Sequence, residues 1–211
     1  MDVPGFLKAI YLMAETTVAQ KQYLTELDSA IGDADHGINM ERGFSKVAAK
    51  LQSGSYSDLG DLSKDVAMVL MQSVGGASGP IYGTLFMRMS MKLKGNSEMD
   101  LPLFSQAFDA GLQGICDLGK AELGDKTMVD ALTPAVEALH EALERGENLA
   151  SGLDAAVEAA RKGMEETIPM VARKGRASYL GDRSAGHQDP GATSSYYLLS
   201  AFRDAAKAEG A

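Results

Sequence analysis

The sequence predicts an all-α fold of about eight helices, and three observations carry that prediction. Hydrophobic residues recur three and four positions apart almost from end to end, which places them on one face of a 3.6-residue period. No stretch alternates apolar and polar residues in the manner of a half-buried strand. Plain polar turns interrupt the pattern, and no Pro-rich or low-complexity linker divides it, so residues 1–211 are expected to form a single domain. With 45% hydrophobic residues the chain can bury a substantial core.

Taken in order, Phe6, Ile10 and Met13 mark the first helix, and Met40, Phe44, Val47 and Leu51 the second. Leu62, Val66 and Val69 mark the third, and Leu85, Met89 and Leu93 the fourth. The fifth carries Phe104, Phe108, Leu112 and Ile115, and the sixth Leu132, Val136, Leu139 and Leu143. Leu153, Val157, Ala160 and Met164 define the seventh, and Leu198, Phe202 and Ala205 the last. Residues 66–87 contain no charge, but Gly75, Gly76, Gly79 and Pro80 interrupt them. Two buried helices meeting at a turn explain that run better than a membrane span. The twelve methionines, scattered at helical spacing, read as core packing.

Composition excludes several functions. A net charge of −9 argues against a nucleic-acid partner and gives no reason to expect an anionic membrane surface. The single cysteine, Cys116, forms no internal disulfide, and the N-terminus shows no secretory signal, so a cytoplasmic location is expected. No Ser-His-Asp or Cys-His arrangement can be defended.

The connections are of two kinds. Ser53–Gly60, Gly95–Asp100 and Arg145–Asn148 are ordinary polar turns. The other four are unusual: the aspartate-rich loop after the first helix, Ser73–Pro80, Gly119–Thr127 and the long run from Arg173 to Pro190. If sequential helices pack antiparallel, all four lie at one end of an up-and-down bundle and surround one site. Each also delivers the N-terminus of a helix there, with unpaired backbone N–H groups suited to an anion such as phosphate.

In the first of these loops Asp28, Asp33 and Asp35 crowd together, followed at once by His36, Gly37 and Asn39. Such carboxylates repel one another unless a cation lies between them, and oxygen donors without cysteine favour magnesium or calcium. An EF-hand does not fit, because counting from Asp33 puts Phe44 where the bidentate glutamate belongs. Magnesium, which borrows ligands from a phosphate substrate, fits better. The competing reading is an acidic helix end in which Asp35 caps the next helix.

The glycine loop around Gly75, Gly76 and Gly79 is either a tight turn or side-chain-free backbone that approaches a base or phosphate. Gly114–Lys120 has P-loop spacing, but Ala121 replaces the magnesium-binding hydroxyl and the run ends a helix, so it is no P-loop. Lys120, Asp125 and Lys126 are polar loop residues without a settled role, and Thr127 suits a helix cap. The seventh connection sets Arg173, Lys174, Arg176 and Arg183 against Asp182 and Asp189. It suits a lid over phosphate or a partner contact, and Asp189-Pro190 suits the start of the last helix. His140 lies on a solvated helix face. His36 and His187 fall at the proposed site.

Five motifs together closely resemble the nucleotide-binding L subunits of bacterial dihydroxyacetone kinases. They are Gly32-Asp-Ala-Asp-His-Gly-Ile-Asn39, Ser73-Val-Gly-Gly-Ala-Ser-Gly-Pro80, Gly124-Asp-Lys-Thr-Met128, Arg173-Lys-Gly-Arg-Ala-Ser-Tyr179 and Gly186-His-Gln-Asp-Pro-Gly-Ala-Thr193, in the family's order. The resemblance implies an eight-helix antiparallel barrel with ADP, or ATP when phosphorylated, and two magnesium ions at one end. It implies that Asp28, Asp33 and Asp35 hold magnesium. His36, Gly37, Ile38, Asn39, Ala77, Ser78 and Arg176 would meet the phosphates, with His36 and Arg176 catalytic. Gly119 and Met128 would line the adenine, and Asp189, Pro190 and Gly191 would close the pocket. Phosphoryl transfer is mostly positioning and charge neutralisation, which agrees with this set.

The resemblance further implies a K subunit that holds dihydroxyacetone covalently, and a phosphohistidine-carrying M subunit that rephosphorylates bound ADP in place. The absence of a K-like region in 211 residues favours this form. An ATP-exchanging kinase subunit for a related ketose, and a nucleotide-sensing regulatory module, are the alternatives. A homodimer is left open, since no exposed apolar stripe stands apart from the core pattern.

Overall fold

The computed structural model describes residues 1–209. Among them are nine α-helices, one 3-10 helix and no strand, apart from an isolated bridge between Asp2 and Glu98. The helices are α1 Val3–Ala19, α2 Lys21–Ile31, α3 His36–Gln52, α4 Leu59–Ser73 and α5 Ser78–Leu93. They continue as α6 Leu101–Gly119, α7 Met128–Glu144, α8 Leu149–Glu166 and α9 Pro190–Glu209, with the 3-10 helix Arg176–Ser184 before α9.

The eight predicted helices become nine because the first divides at Gln20, whose backbone (φ −99°, ψ 6°) leaves the helix. A β-branched run, Thr16-Thr17-Val18, precedes the break, and Thr17 Oγ1 donates back to the Ala14 carbonyl, both of which weaken helix continuation. Apolar spacing runs straight through, since Leu24 and Ile31 are both buried.

Each helix from α3 onward packs on the next, α1 packs on α3, and α9 returns to α1, so the contacts close into a circuit. Phe6, Phe104, Phe108 and Phe202 fill its middle, with successive ring centroids 5.3 to 5.5 Å apart. Complete burial of one such side chain is worth about 1.5–3 kcal/mol. α2 contributes nothing to this cluster and lies against α3, α9 and the 3-10 helix.

The ordinary turns share one end. Leu59 N–H donates to the Asn96 carbonyl across 2.8 Å, Asp58 accepts the Gly95 N–H, and the Met1 and Met99 backbones pair. Every helix that starts at this end is capped by a side chain. Asp2 accepts from Gly5, Asp58 from Asp61, Asp100 from Leu103 and Asn148 from Ser151, all at 2.8–3.0 Å. No described helix is long and apolar enough to cross a membrane.

Candidate functional site

The four unusual connections meet at the other end, around a cavity of about 200 Å³. Its wall takes Asp28, Asp33, Asp35 and His36 from the α2–α3 region, Gly75–Ser78 from the glycine loop and Lys126–Met128 from the α6–α7 connection. Lys174–Ala177 and Asp189–Gly191 complete it.

α2 positions the first aspartate. Asp28 is buried in its last turn, and one carboxylate oxygen accepts the N–H groups of Asp35 and His36 at 2.8 and 3.0 Å. That satisfies two donors at the start of α3 and leaves the other oxygen free. Gly32 accommodates it: a Cβ there would strike the Asp28 carboxylate. Between Asp33 and Asp35, Ala34 takes a left-handed conformation at φ 61°, which costs on the order of 1 kcal/mol in a non-glycine residue. Asp35 stands at the N-cap position of α3 yet its side chain accepts no helix N–H, so the capping reading fails for it. One oxygen from each of the three carboxylates lies within 4.8 Å of the others. This all-oxygen set, with one ligand preorganised by backbone N–H groups, fits a hard divalent cation. Arg176 Nη2 lies 2.9 Å from Asp33 Oδ2, but the side chain is 63% exposed, so the pair adds little stability and leaves the guanidinium able to move.

His36 is buried. Its Nε2 lies 2.9 Å from Ser194 Oγ and its Nδ1 3.2 Å from Ser78 Oγ. Burial lowers its pKa to about 4 against the opposing charges of Asp28 and Asp35, so the ring is neutral near pH 7.

Lys126 is the largest surprise. Its side chain is 1% exposed, and its Nζ lies 2.8 Å from the Thr167 carbonyl, 2.5 Å from that of His187, 3.1 Å from that of Met170 and 3.4 Å from that of Ile168. One ammonium thus ties together both ends of the seventh connection. Arg173 N–H to the Asp125 carbonyl, Gly186 N–H to that of Ile168, and Ala172 N–H to Ser184 Oγ add further ties. Ala172 and Ala177 pack on Ile31, so the segment expected as a lid is fastened to α2 as well.

Two capping expectations hold. Thr127 and Asp130 form a reciprocal box at the start of α7, in which Asp130 also accepts Gly124 N–H at 2.6 Å. Asp189 caps α9 by accepting Ala192 N–H at 2.7 Å. Burial, with the nearby Asp130 charge, raises the Asp189 pKa to about 7 against the Ala192 N–H and Lys126.

Of the residues singled out from the sequence, Gly37, Ile38, Asn39 and Gly119 do not line the cavity. Gly37 packs against the Lys21 carbonyl of α2, Ile38 is exposed on an outer groove, and Asn39 Oδ1 accepts from Arg42 at 2.6 Å beside Gly75. Gly119 ends α6. Gly37 and Ile38 nevertheless sit in the first turn of α3, where backbone N–H groups lack helical partners. Sequence reasoning missed Ile31, Ile81 and Tyr82, which line the wall, and Ser194, which backs His36.

Comparison with known proteins gives the chain's family. The chain is 48% identical over 188 residues to the ADP-binding subunit DhaL of the PEP-dependent dihydroxyacetone kinase of Escherichia coli (strain K12), covering 89% of this chain and 90% of that one. It is 46% identical to the corresponding subunit of kinase 1 of Listeria innocua, covering 89% of each. Among solved structures, the dihydroxyacetone kinase from C. freundii in complex with AMP-PNP and Mg2+ superposes with a TM-score of 0.72 at 26% identity. That alignment covers 94% of this chain but only 33% of the larger kinase. Residues 30–204 match the DAK2 domain, and with these relatives they show that the chain belongs to the DAK2 domain family.

Proposed function

We propose that this chain is the ADP-binding subunit of a PEP-dependent dihydroxyacetone kinase. In this reading it passes a phosphoryl group from bound nucleotide to dihydroxyacetone held by a K subunit. The observation that carries the reading is the meeting of three carboxylates, a glycine loop, open helix N-termini and Arg176 at one cavity. That is the set phosphoryl transfer requires, and it occurs in a chain nearly half identical to subunits so named.

Asp28, Asp33 and Asp35 would hold two magnesium ions, which when bound neutralise phosphate charge. The N–H groups of Gly37 and Ile38 open the first turn of α3, and Ser78 with Ala77 opens α5, so both offer donors to phosphate oxygens. Asn39 supports the glycine loop beside them. Arg176 can swing from Asp33 to a terminal phosphate. His36 is neutral and held from two sides, so it acts by hydrogen bonding. Met128 on the cavity wall and Gly119 at the end of α6 would form the adenine side, and Asp189, Pro190 and Gly191 would close the nucleotide pocket. The protein supplies no nucleophile: the acceptor hydroxyl comes with the partner. An M subunit carrying phosphohistidine would rephosphorylate ADP in place, in the cytoplasm, within one domain spanning the chain. Either one or two copies of the chain could serve this scheme.

The test is to denature freshly purified protein, identify released nucleotide by chromatography and count its magnesium. Near-stoichiometric ADP with about two metal ions per chain is the expected result. An empty protein that exchanges ATP freely would instead point to an ATP-dependent subunit or a nucleotide sensor.

A further inference from the structure

A chain of buried hydroxyls runs from α9 through His36 to the cavity wall. Tyr82 Oη lies 2.8 Å from Ser194 Oγ, Ser194 Oγ lies 2.9 Å from His36 Nε2, and His36 Nδ1 lies 3.2 Å from Ser78 Oγ. Tyr82 and Ser194 are buried, and Ser78 opens α5 at the cavity. A neutral imidazole offers one donor and one acceptor nitrogen, and each hydroxyl donates once.

Two arrangements satisfy the chain. In the first, Ser78 donates to Nδ1, Nε2–H donates to Ser194, and Ser194 donates to the carbonyls of Pro190 or Gly191, both 3.1 Å away. In the second, Ser194 donates to Nε2, Nδ1–H donates to Ser78, and Ser78 donates into the cavity. Tyr82 donates to Ser194 in both. The same hydrogens are present in each, so no proton is gained or lost overall: the Ser78 and Ser194 hydroxyls rotate, and exchange with water removes the imidazole proton from Nε2 and returns one to Nδ1 through Ser78. With water in the cavity the first arrangement keeps one more bond inside the protein. A phosphate oxygen only accepts, so it requires Ser78 to donate outward.

We propose that Tyr82, Ser194, His36 and Ser78 form a tautomer relay that reverses when a phosphate group reaches Ser78, with Ser194 as the positioning residue that permits the reversal. The relay rests on the nucleotide reading above and assigns roles to two further side chains, Tyr82 on the cavity wall and Ser194 behind His36. It lets the Ser78 hydroxyl accept from a donating group in the first arrangement and donate to a phosphate oxygen in the second.

The experiment is nitrogen NMR of protein labelled with 15N-histidine, with and without Mg·ADP, alongside calorimetry. His140→Gln and His187→Gln assign the His36 signals. The protonated nitrogen of His36 should move from Nε2 to Nδ1 on binding. Ser194→Ala should abolish that move and weaken Mg·ADP binding roughly three- to tenfold, the loss expected for one buried neutral hydrogen bond. Ser195→Ala, which removes a hydroxyl from the same helical turn with no bond to His36, should leave the move intact. Confirmed binding with an unmoved or doubly protonated ring would overturn the relay alone, as would wild-type affinity in Ser194→Ala. A chain that binds no Mg·ADP at all would remove the functional reading and the relay together. If Ser194→Ala does not fold, the wild-type spectra decide.

Discussion

Replacing Lys126 with Met asks whether one buried cation fastens the seventh connection. Methionine keeps the unbranched apolar stem, so packing changes by less than about 1.5 kcal/mol, and the ammonium alone is lost. Three N–H donors are shared among four carbonyls at 2.5 to 3.4 Å, and each charge-assisted bond contributes about 1.5–3 kcal/mol. Against that stands the several kcal/mol spent desolvating the ammonium, which methionine avoids. Lys126 borders the cavity, so water can reach some of the abandoned carbonyls. The net loss should be about 2–4 kcal/mol. At about 2.1 cal/mol/K per residue, a chain of 211 residues has an unfolding entropy near 0.44 kcal/mol/K, so Tm should fall by about 5–9 °C. Urea unfolding at pH 7 should show a lower midpoint with an unchanged slope, and limited proteolysis should gain cleavage within residues 173–188. A loss below about 1 kcal/mol with no new cleavage would show that the other ties hold the segment unaided.

Asp28→Asn should retain an acceptor for the Asp35 and His36 N–H groups and keep Tm within a few degrees, while calorimetric magnesium affinity falls at least tenfold. Asp28→Ala should lose both and destabilise by about 1–3 kcal/mol. Gly32→Ala, whose Cβ would displace the Asp28 carboxylate, should weaken magnesium binding more than it lowers the urea midpoint. Asp33→Ala should abolish magnesium-dependent nucleotide retention yet change stability by no more than about 1 kcal/mol, because its ion pair with Arg176 is largely exposed. Asp189 carries a folded pKa near 7, above its unfolded value, so the folded state holds the extra proton. Its contribution to stability is therefore present at low pH and falls as pH rises from about 4 to 7, by at most about 4 kcal/mol. Asp189→Asn should flatten that part of the urea-midpoint profile and match the acidic wild type at pH 8.

The helical class was legible because burial follows the three- and four-residue spacing almost everywhere. The gathering of four loops at one end was legible because the intervening turns are short and ordinary. Gln20 was not: an apolar period cannot report a break when the residues beyond it are buried against other partners. Thr16-Thr17-Val18 was the available hint. Lys126 was illegible for a different reason. Its partners are carbonyl groups, which every residue possesses, so nothing in Thr167, Met170 or His187 marks them as acceptors. Ser194 likewise looks like helix filler, and only the approach of α9 to α3 and α5 gives it two partners. The aspartate loop announced itself through charge density, yet the division of labour within it did not: Asp28, not Asp35, satisfies the start of α3.

The helices that begin at the far end are all capped by their own side chains, whereas α3 and α5, which begin at the site, have no N-cap side chain bonded to them. On the proposed reading the nucleotide supplies what α5 lacks and what Asp28 leaves unmet beyond the Asp35 and His36 N–H groups of α3. Its occupancy is then part of the protein's architecture, and ligand at a hundred times its Kd would add about 2.7 kcal/mol to stability. Cellular lifetime would follow coenzyme supply: a subunit stripped of its nucleotide would open first at the catalytic end and be the copy that proteases remove, leaving a population enriched in loaded molecules.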